Sequence, residues 1–498
     1  MNSGFSRRIT NARFCNLVCA QRVTREGKVK LRQCIQVRMD PLGKPEAKLE
    51  TLEAEVAEVK QEFTAPASPR SRVATAVRAL RHRNFRLFFA GQLISLIGTW
   101  MQTVAQSWLV YRITRSTLLL GTVGFASQIP VFLVAPLGGT VADRSNRHRI
   151  VIATQTASML LAFILAVLTL TNHITVPEIM VLAAGLGVVN AFDIPARQAF
   201  LMDMVGREDL MNAIALNSSM FNGARIVGPA VAGVLVAWVG EGWCFFTNAV
   251  SYIAVIAGLL MMKIEHPVNL SKEASPLEHI IEGFRFAART APIRAILLLL
   301  GLVSLVGMPY SVLMPVFASE ILHGGARELG WLMGATGIGA LLGALSLAAR
   351  VGVKGLGRLI ARCAGGFGVS LIAFAFSKMF GLSLILLVPV GFTMMVQMAS
   401  TNTLLQSMVP NNMRGRVVAL YTMMFMGVAP FGAFFAGAIA HRIGAPWTVA
   451  IGGFACIVGA VAFGLILPSF RAQARELVLA QGMVAGAPAE EMTSRGVS

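Results

Sequence analysis

The chain has 498 residues, of which 55% are hydrophobic and only 13% are charged, and its net charge is +19. A chain this apolar is a polytopic membrane protein, which excludes a soluble enzyme. Its basic residues alternate with long apolar runs and do not form one patch, so the positive charge does not indicate a nucleic-acid partner.

Cysteine and motif content excludes further classes. The six cysteines are scattered and do not have the spacing of a zinc site, so neither a metal, a cofactor nor a disulfide framework is expected. The phosphate-binding pattern GxxxxGK[ST] does not occur, which argues against an ATP-driven pump within this chain. The few ionisable residues inside apolar runs form no nucleophile–base pair, so no catalytic residue is predicted.

Residues 1–75 are predicted to be a basic, disordered extension. Residues 1–38 are strongly basic and lack the apolar core of a secretory signal peptide. One open interpretation is that 1–38 is a leader absent from the working protein. Further on, a 3-4 spacing of apolar residues predicts a short amphipathic helix, carried by Leu52, Val56, Val59 and Phe63.

Twelve apolar segments follow, and each is long enough to cross a hydrocarbon core of about 30 Å as a helix. A polar segment, 264–290, separates an N-terminal half, 76–263, from a C-terminal half, 291–470, and contains a predicted amphipathic surface helix that begins at Pro276. Residues 471–498 are predicted to be a disordered cytoplasmic tail. The predicted spans are 85–111, 118–142, 148–171, 175–197, 210–239, 243–263, 292–320, 327–350, 356–377, 381–408, 413–441 and 446–468.

The positions of the basic residues predict the orientation. Four arginines lie between residues 78 and 86, ahead of the first span, and three lie between 144 and 149, in the connection of the second and third spans. Connections on the other side carry few basic residues. Because cytoplasmic loops carry the excess of Lys and Arg, both termini are predicted to be cytoplasmic, in a bacterial inner membrane.

The two halves repeat each other in sequence. Leu93–Gly98 resembles Leu302–Gly307 at an offset of 209 residues, and later matches keep an offset of 204 residues. This repeat predicts an all-α membrane protein whose twelve helices form two pseudo-symmetric six-helix halves, with the substrate path between them. The later matches pair Met204 with Met408, Val205 with Val409, Gly223 with Gly427, Gly228 with Gly432 and Gly233 with Gly437.

The connection between the second and third spans carries a motif. Gly139, Asp143, Arg144 and Arg147 have the spacing Gly-x-x-x-Asp-Arg-x-x-Arg. This spacing resembles the loop signature that joins the second and third helices in the major facilitator superfamily. The family glycine between the basic residues is Asn146 here, and asparagine tolerates the left-handed backbone that the glycine would supply. The alternative interpretation is a basic loop that only sets orientation.

The end of the fourth span narrows the resemblance. Residues 192–199 read Phe-Asp-Ile-Pro-Ala-Arg-Gln-Ala, and residues 205–218 read Val-Gly-Arg-Glu-Asp-Leu-Met-Asn-Ala-Ile-Ala-Leu-Asn-Ser. These motifs resemble the bacterial branch of the superfamily that includes the enterobactin exporter and the transmembrane secretion effectors. The similarity covers about residues 76–470, and it implies the major facilitator fold and a transporter.

The resemblance also implies a gate. In the superfamily, the aspartate matching Asp143 docks at the N-terminus of the eleventh helix and holds the outward-open state. The basic residue matching Arg147 pairs with an acid near the end of the fourth helix, here Asp193. A carboxylate is favoured at a helix start, and a charge pair between moving helices biases one state over another. The alternative for Asp193 is a solvated acid that caps Arg197 or Arg207.

Arg225 lies inside the fifth span, where an arginine is costly and normally faces a cavity. A guanidinium stays protonated at working pH, so Arg225 is not the proton carrier. Three roles are open: binding an anionic or catecholate-like substrate, tuning a nearby acid, or donating to backbone carbonyls of neighbouring helices. The small residues around it resemble the fifth-helix motif of superfamily antiporters and predict close helix packing at Gly223, Gly228, Pro229 and Gly233.

Several other polar residues lie at mid-span depth. Each is a candidate for contact with substrate or proton or, alternatively, an interhelical hydrogen bond. No acid lies at the centre of a span, so the sequence names no proton-coupling residue. In the repeat, Gln397 stands opposite Asp193, and Ala429 stands opposite Arg225, so the C-terminal half lacks these charges. The candidates are Gln92, Gln128, Asn190, Asn222, Tyr310, Gln397 and Asn402.

These features predict a secondary active transporter that exports an amphipathic small molecule, siderophore-like or drug-like, by alternating access in exchange for protons. The alternatives are a passive facilitator or importer on the same fold, and a non-transporting membrane scaffold, because fold alone does not choose among them. The expected partners are the small-molecule substrate, protons and the lipid bilayer, without nucleic acid, and the expected oligomeric state is a monomer.

Overall fold

The computed structural model describes residues 18–20, 33–35, 77–263, 276–350 and 352–484. The chain divides into two compact units, Met1–Ala76 and Val77–Ser498. Some predictions fall outside the described residues. They are the amphipathic helix of 49–63, the first part of the polar segment, 264–275, and the end of the tail, 485–498.

The described part of the first unit consists of two three-residue strands. β1 (Val18–Ala20) and β2 (Gln33–Ile35) pair in an antiparallel ladder. The sequence predicted disorder for this extension, and at these six residues the structure differs. Valine and isoleucine, which stand opposite each other in the ladder, favour extended backbone.

The second unit is helical. A short 3-10 helix, Arg78–Arg81, precedes the first span. In the part of the chain that the structure describes, eleven helices are long and apolar enough to cross a membrane, and a twelfth, of 14 residues, is too short to do so. The helices are α1 (Arg83–Thr114), α2 (Thr117–Arg144), α3 (Arg147–Leu170), α4 (Val176–Val239), α5 (Glu241–Leu260), α6 (Pro276–Arg289), α7 (Ala291–Ile321), α8 (Ala326–Ala348), α9 (Leu356–Ala375), α10 (Phe380–Met408), α11 (Met413–Ile443) and α12 (Ala445–Val484).

α4 contains two spans. It is 64 residues long, and Gly206 interrupts its helical backbone with φ of 72° and ψ of −179°. Positive φ is open to glycine because it has no Cβ. The predicted fourth and fifth spans are the two parts of α4 on either side of this glycine. Because α4 contains two spans, the eleven membrane-crossing helices provide twelve spans. The predicted all-α fold class is confirmed.

The connection between α2 and α3 is tighter than the family pattern suggested. Asn146 has φ of −67° and ψ of 105°, so it does not use the left-handed backbone that we expected. Asn146 is instead the N-cap of α3, and its Oδ1 accepts a hydrogen bond from the Arg149 N–H at 3.2 Å. A side-chain cap satisfies a free N–H at the helix start, which explains an asparagine at this position.

The two boundary helices differ in how well they were predicted. α6 begins at Pro276 as expected. α12 continues to Val484, whereas the sequence predicted a disordered tail from residue 471. Ala474 and Leu477 are three residues apart on this extension, and both pack against the hydrophobic core. That apolar contact stabilises the extra turns, which carry too many polar residues to look like a span.

Packing within the halves follows the sequence repeat. The backbone of Gly187 on α4 lies against Ser127 of α2, and the backbone of Gly391 on α10 lies against Thr336 of α8. The two contacts are related by the offsets of the repeat. This close helix crossing is therefore the same in both halves, and the predicted substrate path lies between them.

Candidate functional site: the path between the two halves

We call the end of the bundle at the α2–α3 connection, residues 144–147, the basic face. The opposite end, at the α1–α2 connection, residues 115–116, is the distal face. Helices from the N-terminal half meet helices from the C-terminal half along the path between these faces. The two faces differ in how closely the halves approach.

At the distal face, α2 and α11 touch backbone to backbone. A Cβ at Gly121 would lie 2.5 Å from the Ala433 carbonyl oxygen and 2.9 Å from the Gly437 Cα. The Thr117 hydroxyl donates a hydrogen bond to the Gly437 carbonyl at 3.1 Å. Only glycine permits this approach, because any side chain would occupy the neighbouring backbone.

α4 and α8 form the matching contact on the other side of the path. A Cβ at Gly330 would lie 2.6 Å from the Pro229 carbonyl oxygen and 2.8 Å from the Gly233 Cα. Gly330 follows Gly121 by 209 residues and Gly437 follows Gly233 by 204 residues, which are the offsets of the sequence repeat. The distal face is thus closed by two glycine contacts related by pseudo-symmetry.

Side chains add a third contact between the halves at this face. The Tyr111 hydroxyl of α1 donates a hydrogen bond to the Glu320 carboxylate of α7. The Arg115 guanidinium donates to the Ser319 hydroxyl at 2.8 Å. Tyr111 itself is buried, with 1% of its surface exposed. These polar bonds join the two halves only where the glycine contacts bring them together.

Among the described residues, the close glycine contacts between the halves all lie away from the basic face. The closest helix contacts extend inward to the level of Phe132 against Gly427 and of Ile226 against Gly337. Gly139 and Gly223 lie nearer the basic face. A Cβ added at either glycine would have no neighbour within 4 Å. Leu137 is 62% exposed and Leu345 is 59% exposed. The path is therefore closed distally and open to the basic face.

Within the described residues, the acid of the loop motif, Asp143, makes no contact with the start of α11 when the path is closed at the distal face. The Asp143 side chain is 70% exposed and lies 3.8 Å from the Arg147 guanidinium, while Arg144 is exposed at the end of α2. Asp143 is thus solvated and not docked at the start of α11. The docking that the resemblance implied belongs to the opposite state, so it stays a prediction.

The prediction that Arg147 pairs with Asp193 was wrong. Its guanidinium lies 3.2 Å from the Asp203 carboxylate and not on Asp193. A hydrogen bond from the Arg147 Nε to the Ala142 carbonyl, at 3.3 Å, holds the side chain toward the end of the fourth span, just before Gly206. Asp203 is ten residues beyond Asp193, which is about 15 Å along a helix. The basic loop reaches the later acid only.

Asp193 is the centre of a buried polar cluster. Its side chain is 5% exposed and lies 3.1 Å from the Arg197 guanidinium. The Thr154 hydroxyl donates to its Oδ1 at 2.8 Å, and the Gln155 amide donates at 2.9 Å. Pairing with Arg197 agrees with one of the alternatives, but the carboxylate is buried and not solvated. The cluster ties α3 to α4.

Arg225 lies at the inner end of the open part of the path. Its guanidinium carbon is 5.8 Å from the centroid of the Trp100 ring, and Trp100 in turn packs edge-on against Phe221 at 5.6 Å. Arg225 is also close enough to the buried Tyr310 of α7 for an electrostatic interaction. Residues from α1, α4 and α7 therefore converge on one cation.

The remaining polar candidates are not brought together. Gln92 and Gln397 are buried, whereas Gln128 is exposed and Asn190 is half-buried. Asn222 donates to the Ser218 carbonyl of its own helix at 2.8 Å, and Asn402 accepts from Gln406 one turn further on at 2.9 Å. Of the mid-span candidates, only Tyr310 joins Arg225.

The predicted packing residues divide by depth. Gly228 lies against α1, where a Cβ would be 2.5 Å from the Trp100 Cβ. Gly233 and Pro229 form the distal contact with α8. Gly223 has no neighbour within 4 Å, because it lies on the part of α4 that faces the open path. Close packing therefore holds at three of the four positions in this state.

A buried acid at the basic face was not predicted. Asp209, in the connection between the fourth and fifth spans, is 1% exposed and faces three basic side chains. Arg81 lies at 2.8 Å and His82 at 2.7 Å, and Arg78 contacts the same carboxylate. The hydrogen bond from His82 lowers the pKa of Asp209, burial opposes it, and Arg78 and Arg81 add to the lowering. The cluster fixes the start of α1 on α4.

Little in the sequence indicates the other residues that were missed. Trp100 stands in an apolar span like any core aromatic, and Glu320 stands near a helix end. Gly121 and Gly330 could have been found, because the offset of 209 residues relates them. Within the described ranges, no group of three or more His, Cys, Asp or Glu side chains could hold a metal ion.

The profile of the transmembrane secretion effector family matches residues 74–485, and the chain belongs to this family of major facilitator transporters. It is 26% identical to the staphyloferrin A transporter of Staphylococcus aureus over 76% of this chain and 96% of that protein. It is 28% identical to the multidrug efflux pump Tap of Mycolicibacterium fortuitum over 70% and 87%. It is 25% identical to the enterobactin exporter EntS of Shigella boydii over 78% and 93%.

A solved structure supports the fold. The crystal structure of the nucleoside transporter NupG superposes with a TM-score of 0.61 over 78% of this chain and 99% of that one, at 15% identity. This likeness concerns the arrangement of helices and not the substrate. The chain is therefore a multi-span membrane protein with the major facilitator fold.

Proposed function

We propose that the protein exports a small amphipathic molecule across the bacterial inner membrane by alternating access, in exchange for protons. The observation that carries this proposal is the path closed by two glycine contacts at the distal face and open at the basic face. The positive-inside pattern assigns the basic face to the cytoplasm. Substrate then enters from the cytoplasm in this state, and relatives named as exporters and as an efflux pump support outward transport.

The basic face closes through the loop motif in the alternate state. Asp143 is solvated now, and the start of α11 offers its carboxylate free N–H groups and the positive end of a helix dipole. Gly139 has space around it in the open state, which lets α2 approach α11 without a side chain between them. Arg147 stays with Asp203 and keeps the loop ordered.

Glu320 is our candidate for proton coupling. It is exposed toward the distal face, and its hydrogen bond from Tyr111 joins the two halves. Protonation would replace a charge-assisted hydrogen bond by a weaker one. The protonation state of Glu320 would therefore bias the equilibrium between the two states of the path.

Proteoliposomes test the proposal. Purified protein is reconstituted with a pH dye inside, and a panel of amphipathic compounds of either charge is added under an imposed pH gradient. We expect at least one compound to move against the proton flux, and Asp143→Asn and Glu320→Gln to abolish that exchange. Movement in the same direction as protons would establish an importer, and movement indifferent to the pH gradient would establish a passive facilitator. A panel without any transport would contradict the proposal.

A further inference from the structure

The site around Arg225 has a defined position in the path. Gly337 of α8 lies against Ile226, where a Cβ would be 3.1 Å from the Ile226 Cα, and 3.4 Å from the Arg225 carbonyl oxygen. Beyond this crossing, Gly233 and Gly330 close the distal face. Arg225 is therefore at the depth where the close contacts between the halves end, on the side of the basic face.

The charge of Arg225 is not neutralised by the protein. Among the described residues, no carboxylate lies within ion-pair distance of its guanidinium, whereas the arginines of the other clusters contact Asp193, Asp203, Asp209 or Glu241. Its neighbours are the Trp100 ring and the Tyr310 side chain. A ring face stabilises a cation but leaves its donors free. The free N–H groups fit a carboxylate or another oxyanion in a planar fork.

The aromatic neighbours define the second half of the ligand. Trp100 and Phe221 pack edge to face with centroids 5.6 Å apart, and Phe221 is 43% exposed one helical turn from Arg225 toward the basic face. A flat ring entering from the basic face meets Phe221 first and then reaches Trp100 and Arg225. Aromatic walls favour flat aromatic rings through offset or edge-to-face contact.

We propose that this site binds aromatic anions, with the anionic group on Arg225 and the ring against Trp100 and Phe221. The proposal rests on the proposed transport through this path and specifies its substrate class. Since Ala429 occupies the equivalent position in the C-terminal half, the site offers one cation and selects one anionic group. A cationic ring of the same shape is repelled.

Three probe compounds that share the naphthalene ring and differ in charge separate the effect of charge on binding from the effect of ring shape. Naphthalene-2-carboxylate is an anion, naphthalene-2-carboxamide is neutral and naphthalen-2-ylmethylammonium is a cation. Their binding to the full chain in detergent is measured by calorimetry. We expect the carboxylate to bind about tenfold more tightly than the carboxamide, as a charge-assisted bidentate pair provides, and the ammonium to bind more weakly than both. Equal binding of the three probes, or no binding of the carboxylate, would overturn the proposal.

Variants assign the preference to residues. Arg225→Gln should remove the preference for the carboxylate, whereas Trp100→Leu should weaken the carboxylate and the carboxamide together. Arg442→Gln, an exposed arginine at the end of α11, is the matched control and should bind like wild type. Retention of the anion preference in Arg225→Gln would overturn the assignment. If that variant does not fold, Arg225→Lys, which keeps the charge but loses the fork, should lower the preference.

The binding assay is independent of transport. Absence of anion preference together with proton-driven export of another compound would remove the substrate class and leave the exporter intact. Anion binding without any proton-linked movement would contradict the proposed exchange for protons and leave the anion site intact. The two proposals therefore fail separately.

Discussion

The two halves of the molecule share their shape and differ in their charges. Glycine contacts at the distal face repeat with the sequence offsets, so the crossings of α2 with α11 and of α4 with α8 are equivalent. The buried acid is not repeated. Asp193 has Arg197, Thr154 and Gln155 as partners, whereas the buried Gln397 has neither its oxygen nor its nitrogen hydrogen-bonded among the described residues.

The same offsets explain why Gln397 is left without partners. They place Cys363 opposite Thr154 and Ala364 opposite Gln155, so the C-terminal half has lost the donors as well as the acid. Close helix packing needs equal shape on both sides of the path, but charge is needed only where it acts. A position that is polar in one half and apolar in the other is therefore a better guide to function than a repeated one.

A second contrast lies at the basic face. In the N-terminal half, the 3-10 helix Arg78–Arg81 brings bases to Asp209, at the start of the fifth span. Ahead of the C-terminal half, α6 brings an acid, and Glu282 lies 2.6 Å from Arg416 at the start of α11. In both places an ion pair joins the helix that precedes a half's first span to the start of that half's fifth span, with opposite charge polarity.

The largest expected effect concerns the shared shape. Gly437→Val and Gly233→Val each place a side chain in the backbone contact of the distal face, and such overpacking costs about 1–2 kcal/mol, a five- to thirtyfold shift between states. We expect transport in proteoliposomes to fall by about that factor in both. Gly464→Val is the control, because Gly464 has no neighbour within 4 Å. Strong loss in one variant alone would show that the two contacts are not equivalent.

The second-largest expected effect is on stability, and it tests the charge difference between Asp193 and the equivalent Gln397. Asp193→Asn leaves the partly buried Arg197, 20% exposed, without its acid. Loss of one partner of a fully buried pair costs about 3–5 kcal/mol, so we expect a somewhat smaller loss of stability here. Gln397→Leu removes an amide that has no partner, so stability should be unchanged or higher. Thermal unfolding in detergent compares the two variants with wild type. A Gln397→Leu variant as unstable as Asp193→Asn would mean that the amide has an essential partner.

A smaller effect is expected at the loop. Arg147 and Asp203 are each 26% exposed, and such pairs contribute about 0.2–1 kcal/mol. Reversal of either charge should reduce transport several-fold, and the double swap Arg147→Asp with Asp203→Arg should recover part of it. The swap of Arg147 with Asp193 serves as the comparison and should recover nothing. Recovery only with Asp193 would restore the pairing that the sequence suggested.

The smallest effect is a pH dependence. Because its folded pKa is lowered, Asp209 contributes stability that is present above its unfolded pKa of about 3.9 and is lost as pH falls through the folded value. The difference in melting temperature between wild type and Asp209→Asn should therefore be larger at about pH 5 than at about pH 3, and shrink below about pH 4. Glu208→Gln, on the neighbouring exposed residue, should show no such change.

The spans and their halves could be predicted because apolar length and the repeat are properties of the sequence itself. The partner of Arg147 could not be predicted, because Asp193 and Asp203 are both acids near the end of the fourth span. Only the crossing of α3 with α4 decides between them. Trp100 gave no signal either, because its position beside Arg225 results from the close approach of α1 at Gly228.

Alternating access is tested most directly by two distances in one protein. Spin labels at Ser145 and Ala349 report the basic face, and labels at His173 and Lys378 report the distal face; all four residues are exposed. The labels are placed in a background from which the six native cysteines have been removed. In Gly437→Val we predict that the distal distance lengthens while the basic distance shortens. A distal distance that lengthens without any change at the basic face would contradict the account, as would no change at either face.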